Sequence, residues 1–116
     1  MMTNTTQWLT VCQESDLVAN SGVCALVNEQ QIALFKVKNA QQDQVFAISN
    51  WDPIGEANVL YRGLLCSVGE IVAVASPLYK QRFCLSSGTC LDSDEAKVKV
   101  YPVRIEQHAV QLQISQ

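Results

Sequence analysis

Val110, Leu112 and Ile114 alternate without a break with Gln111, Gln113 and Ser115. A period of two sends successive side chains to opposite faces, so this stretch hides its apolar side only as a β-strand with one wet face. Val98 and Val100 alternate with Lys97 and Lys99 in the same way. The run "VYPVRIEQHAVQLQI" is therefore expected to form two strands joined by a turn at Glu106 to His108. Pro102 has no N–H to give to a ladder and should mark an edge or a bulge. Further upstream, "VCALVNEQQIALFKV" reads as a hairpin turning around Asn28 to Gln30, and "QVFAIS" (Gln44–Ser49) as a strand after the polar link Asn39 to Asp43. The run Glu70 to Ser76 is nearly all apolar, which predicts a strand buried on both faces. Val68-Gly69 and Ser86-Ser87-Gly88 supply turns. No helical period is sustained; Ser15 to Leu17 and Asp92 to Lys97 allow one short helical turn each. The pattern predicts an all-β chain, an antiparallel β-sandwich or small barrel.

With 116 residues the chain is expected to be one domain, residues 1–116, with the stretch 1–7 flexible. Hydrophobic residues at 48% against 16% charged fit a globular core rather than disorder. A net charge of -3 argues against a nucleic-acid partner, which needs a basic face. No apolar run approaches the ~20 residues a bilayer crossing requires. The opening "MMTNTTQ" has neither a basic nor an apolar secretory region, so a cytoplasmic location without a membrane partner is expected.

Chemistry-bearing residues are sparse. His108 is the only histidine and falls in the expected last turn, where a solvated side chain is the ordinary role. No G-x-S-x-G, G-x-G-x-x-G or Walker loop occurs, so no nucleophile elbow or phosphate cradle is indicated. Glu14 and Asp16, and Asp92, Asp94 and Glu95, form short acidic groups without calcium-loop spacing. The five cysteines, Cys12, Cys24, Cys66, Cys84 and Cys90, show no C-x-x-C and read as reduced, packed thiols. Cys84 and Cys90 flank the Ser86–Gly88 turn, which leaves open a reversible disulfide. A structural zinc there would need two more ligands, with Cys66 the one further candidate.

Two segments carry a resemblance. "FAISNWDPIGEANV" (Phe46 to Val59) and "SPLYKQRFCLSSGTCL" (from Ser76) resemble the two boxes of Rieske domains. Those domains hold a [2Fe-2S] cluster with two cysteines and two histidines, in the patterns C-x-H and C-x-x-H at two loop tips. In that register Asp52 stands at the first cysteine and Ile54 at the first histidine, while Asn50 and Gly55 fit the frame. Ser76 stands at the second cysteine and Tyr79 at the second histidine, while Pro77, Phe83 and Gly88 fit. The resemblance implies a Rieske-like fold of the iron–sulfur-protein type, with residues 50–89 as a cluster-binding subdomain that has lost its ligands. The link Gly55 to Ala75 is 21 residues long and is expected to carry an extra hairpin around Tyr61 to Gly69. Independently of any family, a Rieske iron needs two imidazoles, and an all-thiolate cluster needs four close cysteines. Neither set exists in this chain, so no cluster and no metal ligand is expected.

The combination of an intact second box with absent ligands, together with "GVCALV", "VFAISNWDP" and "VKVYPVRIEQHAVQLQI", is similar to one branch of that family. This is the small subunit of cytoplasmic NAD(P)H-dependent nitrite reductases. The resemblance implies a chain that is not catalytic alone, in an enzyme reducing nitrite to ammonium. Its partner would be a large subunit carrying FAD, siroheme and [4Fe-4S]. Two readings of other classes stand beside it: a true [2Fe-2S] electron-transfer protein, and a free-standing Rieske-fold binding or regulatory module. At the former cluster tips Trp51, Pro53, Ile54 and Tyr79, with Lys80 and Arg82 nearby, are candidate docking residues, since aromatics and arginine tend to anchor interfaces. The competing reading has Ile54 and Tyr79 buried, filling the volume a cluster would take.

Overall fold

The computed structural model describes residues 7–38 and 42–114. The expected fraying of residues 1–7 falls, apart from Gln7, outside the described residues; so does most of the link between Asn39 and Asp43.

Among the described residues twelve short strands follow one another with two single 3-10 turns between them: β1 (Trp8–Gln13), β2 (Ser21–Val27), β3 (Gln30–Val37), β4 (Gln44–Ser49), β5 (Trp51–Asp52), β6 (Ala57–Asn58), β7 (Leu64–Val68), β8 (Ile71–Ala75), β9 (Arg82–Cys84), β10 (Val100–Tyr101), β11 (Val103–Glu106) and β12 (Ala109–Gln113). Among the described residues they pair, all antiparallel, into sheets of order β1-β12-β11, β10-β4-β3-β2 and β7-β8-β9, with β5-β6 a separate two-stranded ribbon. The all-β class follows the sequence pattern.

Two hairpins close with two-residue turns whose central residues both take positive φ: Asn28-Glu29 (50° and 66°) between β2 and β3, and Gln107-His108 (52° and 70°) between β11 and β12. This handedness matches the right-handed twist of the strands. The extra hairpin between the boxes is β7–β8, turning at Gly69-Glu70 with Gly69 at φ 63°. Tyr61 lies ahead of it, in the 3-10 turn Leu60–Arg62.

The middle layer is β10-β4-β3-β2, and it explains where the apolar run "IALF" goes. Ile32, Ala33, Leu34 and Phe35 are all fully buried. Ile32 and Leu34 pack with Ala47, Tyr101, Val110 and Leu112, toward β1-β12-β11. Ala33 and Phe35 pack on the other side with Ile48, Leu60, Val74 and Phe83, toward β7-β8-β9. Period two thus feeds two cores from one strand.

Three expectations need correction. Of the strand expected to be buried on both faces, Glu70 to Ser76, only Ala73, Val74 and the closing Ser76 are buried; Ile71 is exposed and Glu70 belongs to the turn. β8 belongs to an outer sheet, whereas the doubly covered strand is β3. The strand expected through Val98 is split. Val98 N–H donates to Gly88 O (2.8 Å), Lys97 bridges Thr89, and only Val100–Tyr101 joins β4. Pro102 falls at the change of sheet, between β10 on β4 and β11 on β12. Asp92 to Lys97 forms turns and no helical turn, because Asp92 is drawn back to Arg82. The expected turn near Ser15 exists as the 3-10 turn Glu14–Asp16, where Asp16 Oδ2 accepts the Gln13 N–H.

Candidate functional site

The ribbon β5-β6 and the loop Ser76 to Lys80 stand side by side. Asn50 fixes the base of the first loop. It is fully buried; its side-chain amide donates to Gln31 Oε1 (3.1 Å) and its Oδ1 accepts the Tyr61 N–H (2.7 Å). A buried amide satisfied on both ends locks β3, the loop and the following 3-10 turn together.

Asp52 and Ser76, the positions that the resemblance gave as the two cysteines, meet directly. Ser76 Oγ donates to Asp52 Oδ2 at 2.5 Å, and both residues are buried. Asp52 Oδ1 also accepts the N–H groups of Ile54 (2.9 Å) and Gly55 (3.0 Å). Gln81 Nε2 lies 2.9 and 2.7 Å from the two carboxylate oxygens. Burial raises the Asp52 pKa, but the hydrogen bonds from Ser76, Gly55, Ile54 and Gln81 outweigh it and hold the carboxyl below its ordinary value. The second loop closes on itself through Ser76 N–H to Gln81 O and Lys80 N–H to Ser76 O, both 2.9 Å, with Lys80 at φ 64°. Gly55 lets the loops approach, since a Cβ there would run into the Leu78 side chain. Gln81, buried at the centre, is a residue the sequence reading missed; no spacing rule marks it.

Neither of the other two ligand-equivalent positions is buried. Ile54 is 39% exposed and Tyr79 70%, next to Trp51 at 43% and Leu78 at 44%. Pro53 is half-buried and Lys80 exposed. Leu78 was also missed, although it sits between two residues already weighed. Arg82 takes a different part from the one expected. Its guanidinium pairs with Asp92 in two bonds (3.1 and 2.7 Å) and its N–H donates to the same carboxylate at 2.8 Å. The Arg82 bonds hold the Asp92 pKa down at about 2. Arg82 is therefore a brace for the chain leaving the loop and not a free anchor.

His108 lies in the β11–β12 turn on another sheet, with Nδ1 3.4 Å from Glu14 Oε1 and its side chain 89% exposed. The five thiols are free, and no Cys84–Cys90 disulfide is formed. Burial pushes the Cys84 pKa up, but donors from Ser86 and Ser87 bring it down to about 7. Among the described residues no three His, Cys, Asp or Glu side chains gather where they could hold a metal ion. No helix there is long and apolar enough to cross a membrane.

Comparison with known proteins agrees with this geometry. The family described as "Rieske-like [2Fe-2S] domain" matches residues 7–113, and the chain belongs to that family. Within it the chain falls with the small subunits of NAD(P)H nitrite reductases. It is 45% identical over 106 residues to the nitrite reductase (NADH) small subunit of Escherichia coli, covering 91% of this chain and 96% of that protein. The crystal structure of a nitrite reductase small subunit from Mycobacterium tuberculosis superimposes with a TM-score of 0.88 at 33% identity, covering 97% of this chain and 99% of that one. A 99-residue match, 42% identical, also lies within the nitrite reductase [NAD(P)H] large subunit of Klebsiella oxytoca. It takes up 85% of this chain and 10% of that protein.

The cluster in the family's description does not fit the residues here. Ile54 has no donor atom, the Ser76 hydroxyl and the Asp52 carboxylate are committed to each other, and the only imidazole is on a different sheet.

Proposed function

We propose that this chain is the small subunit of a cytoplasmic NAD(P)H nitrite reductase, the enzyme that takes nitrite to ammonium. It acts by docking on a large subunit and carries no redox group of its own. The flavin, siroheme and [4Fe-4S] of such an enzyme belong, on this reading, to the large subunit. The observation that carries the proposal is the division of labour at the two loops. Their inner positions are sealed by Asp52, Ser76 and Gln81, while Trp51, Ile54, Leu78 and Tyr79 stay exposed together. An electron carrier needs the first region for a cluster; a docking subunit needs the second as an apolar patch. The Klebsiella match supports the partner: there a segment similar to this chain is part of a large-subunit polypeptide.

Residues 50–89 serve here as the docking subdomain of a single domain, with Trp51, Ile54, Leu78 and Tyr79 as anchors, Pro53 shaping the first loop and Lys80 at the rim. A tagged chain expressed with its large subunit tests the proposal. It should recover a flavin- and siroheme-containing partner, and the double variant Trp51→Ala, Tyr79→Ala should lose it while remaining folded. Recovery of the partner at the wild-type level by the folded double variant refutes docking through the tip.

A further inference from the structure

Two loops that a metal cluster would otherwise pin together need another cross-link, or they part. We propose that the buried Asp52 carboxylate is that cross-link, binding the second loop through Ser76 and Gln81 so that the four exposed apolar residues form one preset surface. For its consequence at a partner, the inference rests on the docking function proposed above.

The donors around Asp52 come from both sides. Ile54 and Gly55 N–H belong to its own loop, and the Ser76 hydroxyl and Gln81 amide come from the other. Hydrogen bonds to an ionised acceptor are the strong kind, and here they are shielded from water. Gln81 shows which contact dominates. Its Nε2 is spent on the carboxylate, while its Oε1 is buried without a partner among the described residues. Turning the amide round would satisfy nothing and would set two acceptors against each other. Ser76 relays the constraint, because its Oγ also accepts the Leu78 N–H (3.2 Å). Leu78 in turn lies against Gly55 of the first loop. The surface is thereby ordered before a partner arrives, which removes ordering cost from binding.

Asp52→Asn separates the two halves of the network. The new side chain keeps one oxygen for Ile54, Gly55 and one Gln81 contact, but puts an NH2 in place of the oxygen that takes the Ser76 hydroxyl and the shorter Gln81 contact, donor against donor. Amide hydrogen exchange on the isolated full chain reads the result. At Leu78 and Lys80 it should quicken about tenfold or more, the factor that ~1.4 kcal/mol of lost linkage gives, while Ile54 and Gly55 change less. Affinity for the large subunit should fall with it, by about tenfold. Ser76→Ala, which cuts the link from the other loop, should quicken exchange at Lys80 in the same way and serves if Asp52→Asn does not fold; Leu78 is not read in that variant, because its N–H loses its own acceptor. Second-loop exchange unchanged in both variants overturns the cross-link, whatever the partner does. Faster exchange with unchanged affinity overturns the preset surface, and Tyr79→Ala, which leaves the network whole, then separately tests docking.

Discussion

Truncating Tyr79 to alanine should weaken the complex with the large subunit by more than an order of magnitude and leave the fold intact. The ring is 70% exposed in the free chain. A tyrosine brings roughly 200 Å² to a contact, so about 140 Å² is left for a partner to cover. At ~25 cal/mol per Å² that area is worth about 3.5 kcal/mol. Ordering the side chain and desolvating its hydroxyl returns roughly 1.5 kcal/mol, which leaves a net loss of about 2 kcal/mol. The dissociation constant should therefore rise about 30-fold. For the isolated chain, a substitution at so exposed a site should cost less than ~0.5 kcal/mol. Isothermal titration of the large subunit with each form, beside thermal unfolding of the free chains, measures both. An affinity within twofold of wild type would refute the reasoning. So would a collapse of the thermal midpoint, which would mean that the ring holds the fold.

Phe83→Ala empties a fully buried position on β9, in the core against the middle layer, and should cost about 3–5 kcal/mol in urea unfolding, the opposite profile to Tyr79. Gly88→Ala should destabilise by roughly 2 kcal/mol in the same assay, because φ is 82° and the added Cβ would run into the Val98 carbonyl oxygen, a backbone atom that cannot swing aside as a side chain could. Asp52 is held below its ordinary pKa by donors that exist only in the folded chain, so its contribution is fully present above the unfolded value of about 4 and is lost as pH falls through the lower folded value. The stability gap between wild type and Asp52→Asn should accordingly be flat near neutrality and close in acid, as urea titrations at stepped pH would record.

How far the sequence could lead is visible at particular residues. The hairpins at Asn28 and at Gln107-His108 were legible because alternation on both sides of a short polar break is a local signal. So was the pairing of the two boxes, which brought Asp52 and Ser76 into one site. The choice between two apolar runs was not legible. "EIVAVAS" and "IALF" look alike in one dimension, and only the stacking of sheets makes β3 the covered strand and leaves Ile71 in solvent. Gln81 was missed for the same reason: a polar residue in a loop gives no sign that it will be drawn inward by a buried carboxylate. The Arg82–Asp92 pair depends on how the chain folds back across ten residues, so Arg82 looked free when it was committed. Tyr79 and Ile54 had two readings from sequence, filler or anchor, which can coexist: Tyr79 is 70% exposed, whereas Ile54 at 39% keeps more than half of its surface covered.

The measurement that bears most directly on the central claim is reconstitution of nitrite reduction with a small subunit shown by metal analysis to hold no iron. The large subunit, purified alone with its cofactors, would be mixed with iron-free chain and NAD(P)H-dependent nitrite loss followed as the chain is added. Full stimulation by iron-free chain, with half-maximal stimulation needing about 30-fold more of the Tyr79→Ala form when the large subunit is held well below the dissociation constants, is the expected result. Stimulation that appears only when the small chain is loaded with iron, and in proportion to that iron, would contradict it.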